Sequence, residues 1–228
     1  MNIIWLGQAG FLLEKNGKKI LIDPYLSDAC HKVNPASFRR TPLDTSYLSL
    51  KPDAILLTHD HIDHTDPETL EHYLPGDGGI LVLAGANAWD KVRTYGGNNN
   101  YVRFRPGTRW SWEGLTFYAV KAEHSDPESI GIVVEDGSKK YYFTGDTLYN
   151  EEVLQSLPKD LFAVFLPING KGNNMNAEDA AAFAAATGAR YAVPVHFGMF
   201  DELDPAAFQA ANAVIPTPYQ PVFPEDVL

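Results

Sequence analysis

Cysteine is almost missing from this sequence of 228 residues. The single Cys30 excludes a disulfide framework and any cysteine-rich zinc module. Long apolar runs are missing too: no stretch nears the ~18 residues that a membrane-spanning helix needs. Basic residues are scarce, 18 Lys and Arg against 29 Asp and Glu, for a net charge of −11. That balance argues against a surface that grips nucleic acid or anionic lipid through general basicity. It is compatible with a small anionic substrate held by two or three well-placed cations. There is no Gly/Ser linker tract and no repeat at solenoid spacing, so residues 1–228 read as a single domain. The amino-terminal segment has neither a basic flank nor a long apolar core and is not read as a signal peptide. The expectation is a soluble, cytoplasmic protein.

What is present is a well-patterned chain. Ile3 to Leu6, Phe11 to Glu14 and Lys19 to Ile22 read as strands, the last two joined by an Asn16-Gly17 hairpin turn. Pro24 to Leu50 carries three prolines and reads as a long irregular connection. Ala54 to Leu57 is a short buried strand. Asp66-Pro67 caps and opens a helix through Tyr73. Ile80 to Leu83 reads as a strand and Ala86 to Thr94 as a helix. Leu115 to Val120, Ile130 to Glu135, Lys140 to Phe143 and Leu161 to Leu166 are further strands. Trp110, Trp112 and Phe117 look like an alternating, packing strand face. Asn176 caps a helix over Ala177 to Thr187 that Gly188 stops. Tyr191 to Val195 is a strand, and Asp204-Pro205 starts a short helix. Antiparallel strands followed by strand–helix alternation predict an α/β protein, two sheets covered by helices on their outer faces.

The chemistry concentrates in His59-Asp60-His61-Ile62-Asp63-His64, immediately after a buried strand. At this composition, His-x-His-x-Asp-His arises by chance on the order of once in two thousand such chains. Imidazole nitrogens and a carboxylate oxygen are donors that Zn²⁺, Mn²⁺ or Fe²⁺ accept. Further candidates recur at the ends of later strands: His124, Asp146 and His196. Five histidines and two aspartates suffice for two divalent ions. One ion would take His59, His61 and His124, the other Asp63, His64 and His196, with Asp146 bridging. His72 falls on a predicted helix and reads as solvent-exposed, while His31 lies in the long connection without an assigned role.

This pattern resembles the metallo-β-lactamase superfamily over nearly the whole chain. The resemblance rests on Trp5 to Gly10, Leu21-Ile22-Asp23-Pro24, Thr58 through Asp66, Thr144-Gly145-Asp146-Thr147 and Pro194-Val195-His196-Phe197. It implies a four-layer αβ/βα sandwich of two mixed β-sheets flanked by helices, with the metals at one edge of the sheets. It carries over to the seven ligands named above and gives Asp23 the task of holding the free N–H of a ligand histidine. Within the superfamily the chain looks most like the L-ascorbate-6-phosphate lactonase branch and its shorter relatives, through Arg39-Arg40-Thr41-Pro42 and the segment Pro167 to Asn176. The resemblance also makes a homo-oligomer plausible.

The expected activity is metal-dependent hydrolysis by a hydroxide bridging the two ions, since the metals lower the pKa of bound water to about 7. Asp63 and His196 are the residues expected at the reacting groups. Hydrolysis at an acyl or phosphoryl centre follows from the metals; a small, sugar-derived and phosphorylated lactone follows from the resemblance. Arg39 and Arg40 could fork onto a phosphate, and Asn169, Lys171, Asn173 and Asn174 onto sugar hydroxyls. A phosphodiesterase or thioesterase of the same fold is the enzymatic alternative. A metal-binding protein without turnover is the alternative of another class. Neither a nucleic acid nor a membrane is expected as partner.

Overall fold

The computed structural model describes residues 1–224 and Val227. The first sheet is built from β1 (Asn2–Gly7), β2 (Gly10–Lys15), β3 (Lys18–Ile22), β4 (Ala54–Leu57), β5 (Leu81–Ala84) and β6 (Asn100–Arg103), side by side in that order. β1 to β3 are antiparallel, and β3 to β6 run parallel. The second sheet holds β7 (Arg109–Trp112), β8 (Leu115–Lys121), β9 (Ile130–Asp136), β10 (Lys139–Phe143), β11 (Ala163–Pro167) and β12 (Tyr191–Val195). There β7 to β10 are antiparallel and β10 to β12 parallel.

Local chemistry explains the joints. Asn16 and Gly17 both adopt positive φ, 51° and 76°, the geometry a two-residue hairpin between right-twisted strands demands. The helices are α1 (Ala29–Val33), α2 (Pro67–Tyr73), α3 (Ala86–Val92), α4 (Glu151–Ser156) and α5 (Ala177–Thr187). The Asp66 side chain accepts from the Glu68 N–H at the start of α2. The Asn176 side chain accepts from the N–H groups of Glu178 and Asp179 at the start of α5, and Gly188 ends that helix in the left-handed region.

Three apolar layers hold these parts together. Trp5, Phe11, Phe117, Ile132, Phe143 and Phe165 fill the space between the sheets. Leu57, Leu70, Val82, Ala88 and Val92 pack α2 and α3 onto the outer face of the first sheet. Tyr142, Val164, Ala180 and Phe183 pack α5 onto the second. The result is the expected four-layer αβ/βα arrangement. No helix among the described residues is long and apolar enough to cross a membrane.

Several details differ from the sequence reading. The 24–50 connection is docked rather than loose: it contains α1 and a 3₁₀ turn at Thr45–Ser49, and it buries Tyr25, Leu26, Ala29 and Cys30. Two short elements were not anticipated. β6 starts on a polar residue at a sheet edge, and α4 is one and a half turns long, capped by the Asn150 side chain. β7 does pair with β8, Trp110 opposite Phe117. Phe117 is buried and Trp112 packs against the core, while Trp110 keeps 37% of its surface exposed.

Candidate metal centre

Every candidate ligand sits just past the carboxyl end of a strand. His59 to His64 follow β4, His124 follows β8, Asp146 follows β10 and His196 follows β12. Because β4, β10 and β12 belong to the parallel parts of the two sheets, their ends open on one edge of the sandwich. Glycine and strained backbone make the turns possible. Gly145 has φ 60°, and a Cβ there would lie 2.9 Å from the Thr58 Cβ. His196, Gln8 and Asp23 adopt positive φ of 56°, 51° and 42°. Such conformations are costly for non-glycine residues and concentrate where function requires a fixed direction.

The seven side chains expected as ligands are brought together in two groups. His59, His61, His124 and Asp146 form one and Asp63, His64 and His196 the other, with the donor atoms of each group within 4.8 Å of one another. In the first, His61 Nδ1 lies 2.9 Å from His59 Nε2 and 3.1 Å from His124 Nε2. In the second, His196 Nε2 lies 3.2 Å from His64 Nε2 and 3.1 Å from Asp63 Oδ2. Asp146 spans both. Its Oδ2 is 3.8 Å from His124 Nε2, and its Oδ1 is 3.2 Å from His64 Nε2 and 3.1 Å from His196 Nε2.

The arrangement of protons shows what the cluster is built for. Asp23 accepts from His64 Nδ1–H at 2.7 Å and also from the Thr58 N–H and hydroxyl, at 2.8 and 2.6 Å. Since the Thr58 hydroxyl donates to Asp23, it accepts from His59 Nδ1–H at 3.0 Å. The Asn173 carbonyl accepts from His124 Nδ1–H at 3.2 Å. These outward bonds turn the Nε2 atoms of His59, His64 and His124 inward, at one another and at two buried carboxylates, so that each offers a lone pair once its Nε2 carries no proton. Asp146 Oδ1 is buried and receives no hydrogen bond. Converging lone pairs without donors are satisfied by cations, and imidazole plus carboxylate is the donor set of divalent Zn, Mn or Fe.

Without ions, protons on His64 and His196 take the place of the cations. Burial holds His59 well below the ordinary imidazole value and lowers His124. Burial opposes charge on His64 and His196 too, yet nearby carboxylates outweigh it, led by Asp146, and raise both. Burial likewise opposes ionisation of Asp63 and Asp146, and the facing histidines overcome it to pull both below the ordinary carboxylate range.

Residues that the sequence reading did not single out complete the centre. Gln8, buried, donates from Nε2 to Asp63 Oδ2 at 3.1 Å, and its carbonyl accepts from the His196 N–H. Its only sequence signal is membership of the Trp5 to Gly10 motif. Asp126 accepts from the Asp60 N–H and from Asn87 Nδ2, tying the segment after His124 to the segment between His59 and His61. His31 and His72 lie outside the cluster; both are exposed and meet backbone carbonyls, of Pro35 and Leu48.

Above the centre lies a cavity of about 360 Å³ lined by His61, Asp63, Ser125, Asp146, Lys171, Gly172, His196 and Phe200. Of the six side chains expected at a substrate, Lys171 alone lines it. The other five do not line it. Asn169 Nδ2 lies 3.0 Å from His196 Nδ1, and Asn174 Nδ2 donates to Asp146 Oδ2 at 2.8 Å, so both orient ligands. Asn173 meets His124 through its carbonyl. Arg39 donates to the Tyr25 carbonyl and stacks over the Tyr25 ring, and Arg40 pairs with Asp201 at 3.2 Å. A larger cleft of about 720 Å³ opens at the other end of the strands, beside Trp110, Trp112 and Asn100, and no histidine lines it.

Known proteins share this architecture. A family model described as a beta-lactamase superfamily domain matches residues 18–197. A UPF0173 metal-dependent hydrolase of Geobacillus thermodenitrificans is 31% identical over 221 residues, 91% of each chain. Among solved structures, a metallo hydrolase of the hyperthermophilic archaeon Ignicoccus hospitalis superposes with a TM-score of 0.74, at 22% identity and 96% coverage of both chains. An isothiocyanate hydrolase from Delia radicum gut bacteria gives 0.71 at 21% identity, covering 96% of this chain and 97% of that one.

Proposed function

This chain belongs to the beta-lactamase superfamily, and on that premise we propose that it is a metal-dependent hydrolase with two divalent ions and a small lactone as substrate. The observation that carries the proposal is Asp146, one carboxylate whose two oxygens face two separate nitrogen-rich donor groups. Ions bound there would acidify a water and polarise an acyl oxygen. Metal dependence agrees with the name given to the Geobacillus relative.

The remaining work falls to the chain itself. Asp63 lines the cavity, and Gln8 holds its Oδ2 in place. Its depressed pKa keeps it ionised, so it can orient an attacking water by accepting a hydrogen bond from it. Asn169 and Gln8 together hold the His196 ring against Asp63. Attack by the water oxygen on the ring carbonyl carbon breaks the acyl C–O bond, and the departing alkoxide takes up the proton, giving a hydroxy acid. A cavity of about 360 Å³ lies near the lower end for small-molecule sites. The choice of a lactone draws on the branch motifs at 39–42 and 167–176.

The test is turnover by the metal-loaded protein across lactones, phosphodiesters and thioesters, with Zn²⁺ and Mn²⁺ supplied separately. We expect about two ions per chain and ring opening of lactones, both lost in His61→Ala. Phosphodiester or thioester turnover would replace the lactone reading, and two bound ions without turnover would support a metal-binding role. A metal-free protein with unchanged turnover would refute the proposal.

A further inference from the structure

The segment 169–176 does two things at once. Its backbone closes on itself: Asn169 and Asn176 form a bridge, the Gly170 N–H donates to the Met175 carbonyl, and the Met175 N–H donates to the Thr147 carbonyl. Gly170, Gly172 and Asn173 all sit near φ 62–63°, so the loop is tightly curled. Along the same segment, Asn169, Asn173 and Asn174 contact three different candidate ligands, His196, His124 and Asp146. The loop is thus clamped to both halves of the centre, and Lys171 at its tip lines the cavity.

Lys171 is unlike most cations near this site. Arg40 pairs with Asp201 and Lys91 with Asp60; Arg39 donates one N–H to the Tyr25 carbonyl, its Nε and Nη1 are buried without partners, and it does not line the cavity. Lys171 is exposed, lines the cavity together with Asp63 and Asp146, and forms no ion pair among the described residues. A single ammonium is a point charge, suited to one carboxylate. An ammonium can also pair with a phosphate, but Arg39 and Arg40, which could fork onto one, turn to Tyr25 and Asp201, and the single charge of Lys171 matches the single charge of a carboxylate. Phe200, 37% exposed and lining the same cavity, offers an apolar surface for the body of the ligand.

We infer that Lys171 is a specificity-determining residue that selects small acyl substrates carrying a free carboxylate, in place of the phosphorylated substrate that the sequence suggested. The inference rests on the hydrolase reading above and names the substrate class of that same site. Because the loop that carries Lys171 is pinned to the ligands, the distance from the recognised carboxylate to the reacting carbonyl is set by the fold.

The experiment compares γ-butyrolactone carboxylate with its neutral carboxamide on metal-loaded wild-type, Lys171→Met and Lys171→Arg proteins. Binding of the unreactive pair, cyclopentane carboxylate and carboxamide, together with cyclopentyl phosphate, is followed by calorimetry. Metal content of each variant shows that its fold and centre are intact. Wild type should prefer the carboxylate by roughly tenfold to a hundredfold, expressed mainly in KM and in calorimetric affinity. The preference should vanish in Lys171→Met and return in Lys171→Arg. A preference that persists in Lys171→Met would mean that the metals read the carboxylate and would overturn the inference. Tighter binding of the phosphate, or no binding of either cyclopentane probe, would also overturn it. Absence of ring opening alongside Lys171-dependent carboxylate binding would sink the lactone reading and leave the role of Lys171 standing.

Discussion

Asp23→Asn is the sharpest probe of the centre, because it changes one atom and leaves the shape alone. Asparagine tolerates the positive φ of 42° that this position requires, whereas alanine would add strain. The native carboxylate accepts three bonds, from Thr58 N–H, Thr58 Oγ–H and His64 Nδ1–H. An amide can keep the first through its oxygen. Its NH₂ group then faces the other two donors. The Thr58 hydroxyl can rotate, but His64 can adapt only by becoming an acceptor at Nδ1, which moves its proton to Nε2. That is the atom 3.2 Å from Asp146 Oδ1 and 3.7 Å from Asp63 Oδ2, where a lone pair is needed to bind a cation. Loss of such an orienting partner typically costs ~10–100-fold in metal affinity, or about 1.4–2.7 kcal/mol. The first group feels the change only through the Thr58 hydroxyl, which still accepts from His59. Competition titration with a chromophoric chelator should therefore show one of two stepwise Zn²⁺ constants weakened by that factor and the other shifted much less. Two unchanged constants, or a loss confined to the His59, His61 and His124 group, would refute the reasoning.

Two further outcomes follow from burial and charge. In the metal-free protein His64 and His196 have pKa values raised above 6.5, so their contribution to stability is complete below 6.5 and is lost as pH rises through the folded values. Asp63 and Asp146, depressed below 3.8, contribute above 3.8 and lose it as pH falls through their folded values. Burial lowers His59 and His124, which works the other way below 6.5, so the clear outcome of calorimetry after chelation is a Tm that falls as pH rises above 6.5, where His64 and His196 alone of these groups lose their protons. The metal-loaded protein should do the reverse, since binding expels those protons; parallel Tm profiles with and without metal would contradict this. Separately, the Tyr142 hydroxyl is buried without a hydrogen-bond partner, its ring filling the space left by the missing Cβ of Gly131. Tyr142→Phe should leave urea stability unchanged or raise it by up to about 1 kcal/mol, and a clear loss would reveal a partner for the hydroxyl.

Much of this molecule is written locally. The Asn16-Gly17 turn, the Asp66-Pro67 start of α2, and the Asn176 and Gly188 ends of α5 depend on contacts a few residues apart, and they stand where the residue types place them. The hexapeptide His59 to His64 is equally local, and its candidate partners could be located because each ends an apolar strand. The roles of the longer polar side chains were not legible in this way. An asparagine offers the same amide to a sugar as to a histidine, so whether Asn169 meets substrate or His196 depends on what the packed sheets bring within about 3 Å. Arg39 and Arg40 have the reach to bind a phosphate, yet the docked 24–50 segment delivers them to Tyr25 and Asp201. Gln8 lies 188 residues from His196 along the chain, and only the β1–β2 turn set against the end of β12 makes them neighbours. The amino-acid order alone thus determined most of the elements and the ligand types. Which donor faces which acceptor was decided by tertiary packing, because a hydrogen bond is a matter of tenths of an ångström between groups that no local pattern relates.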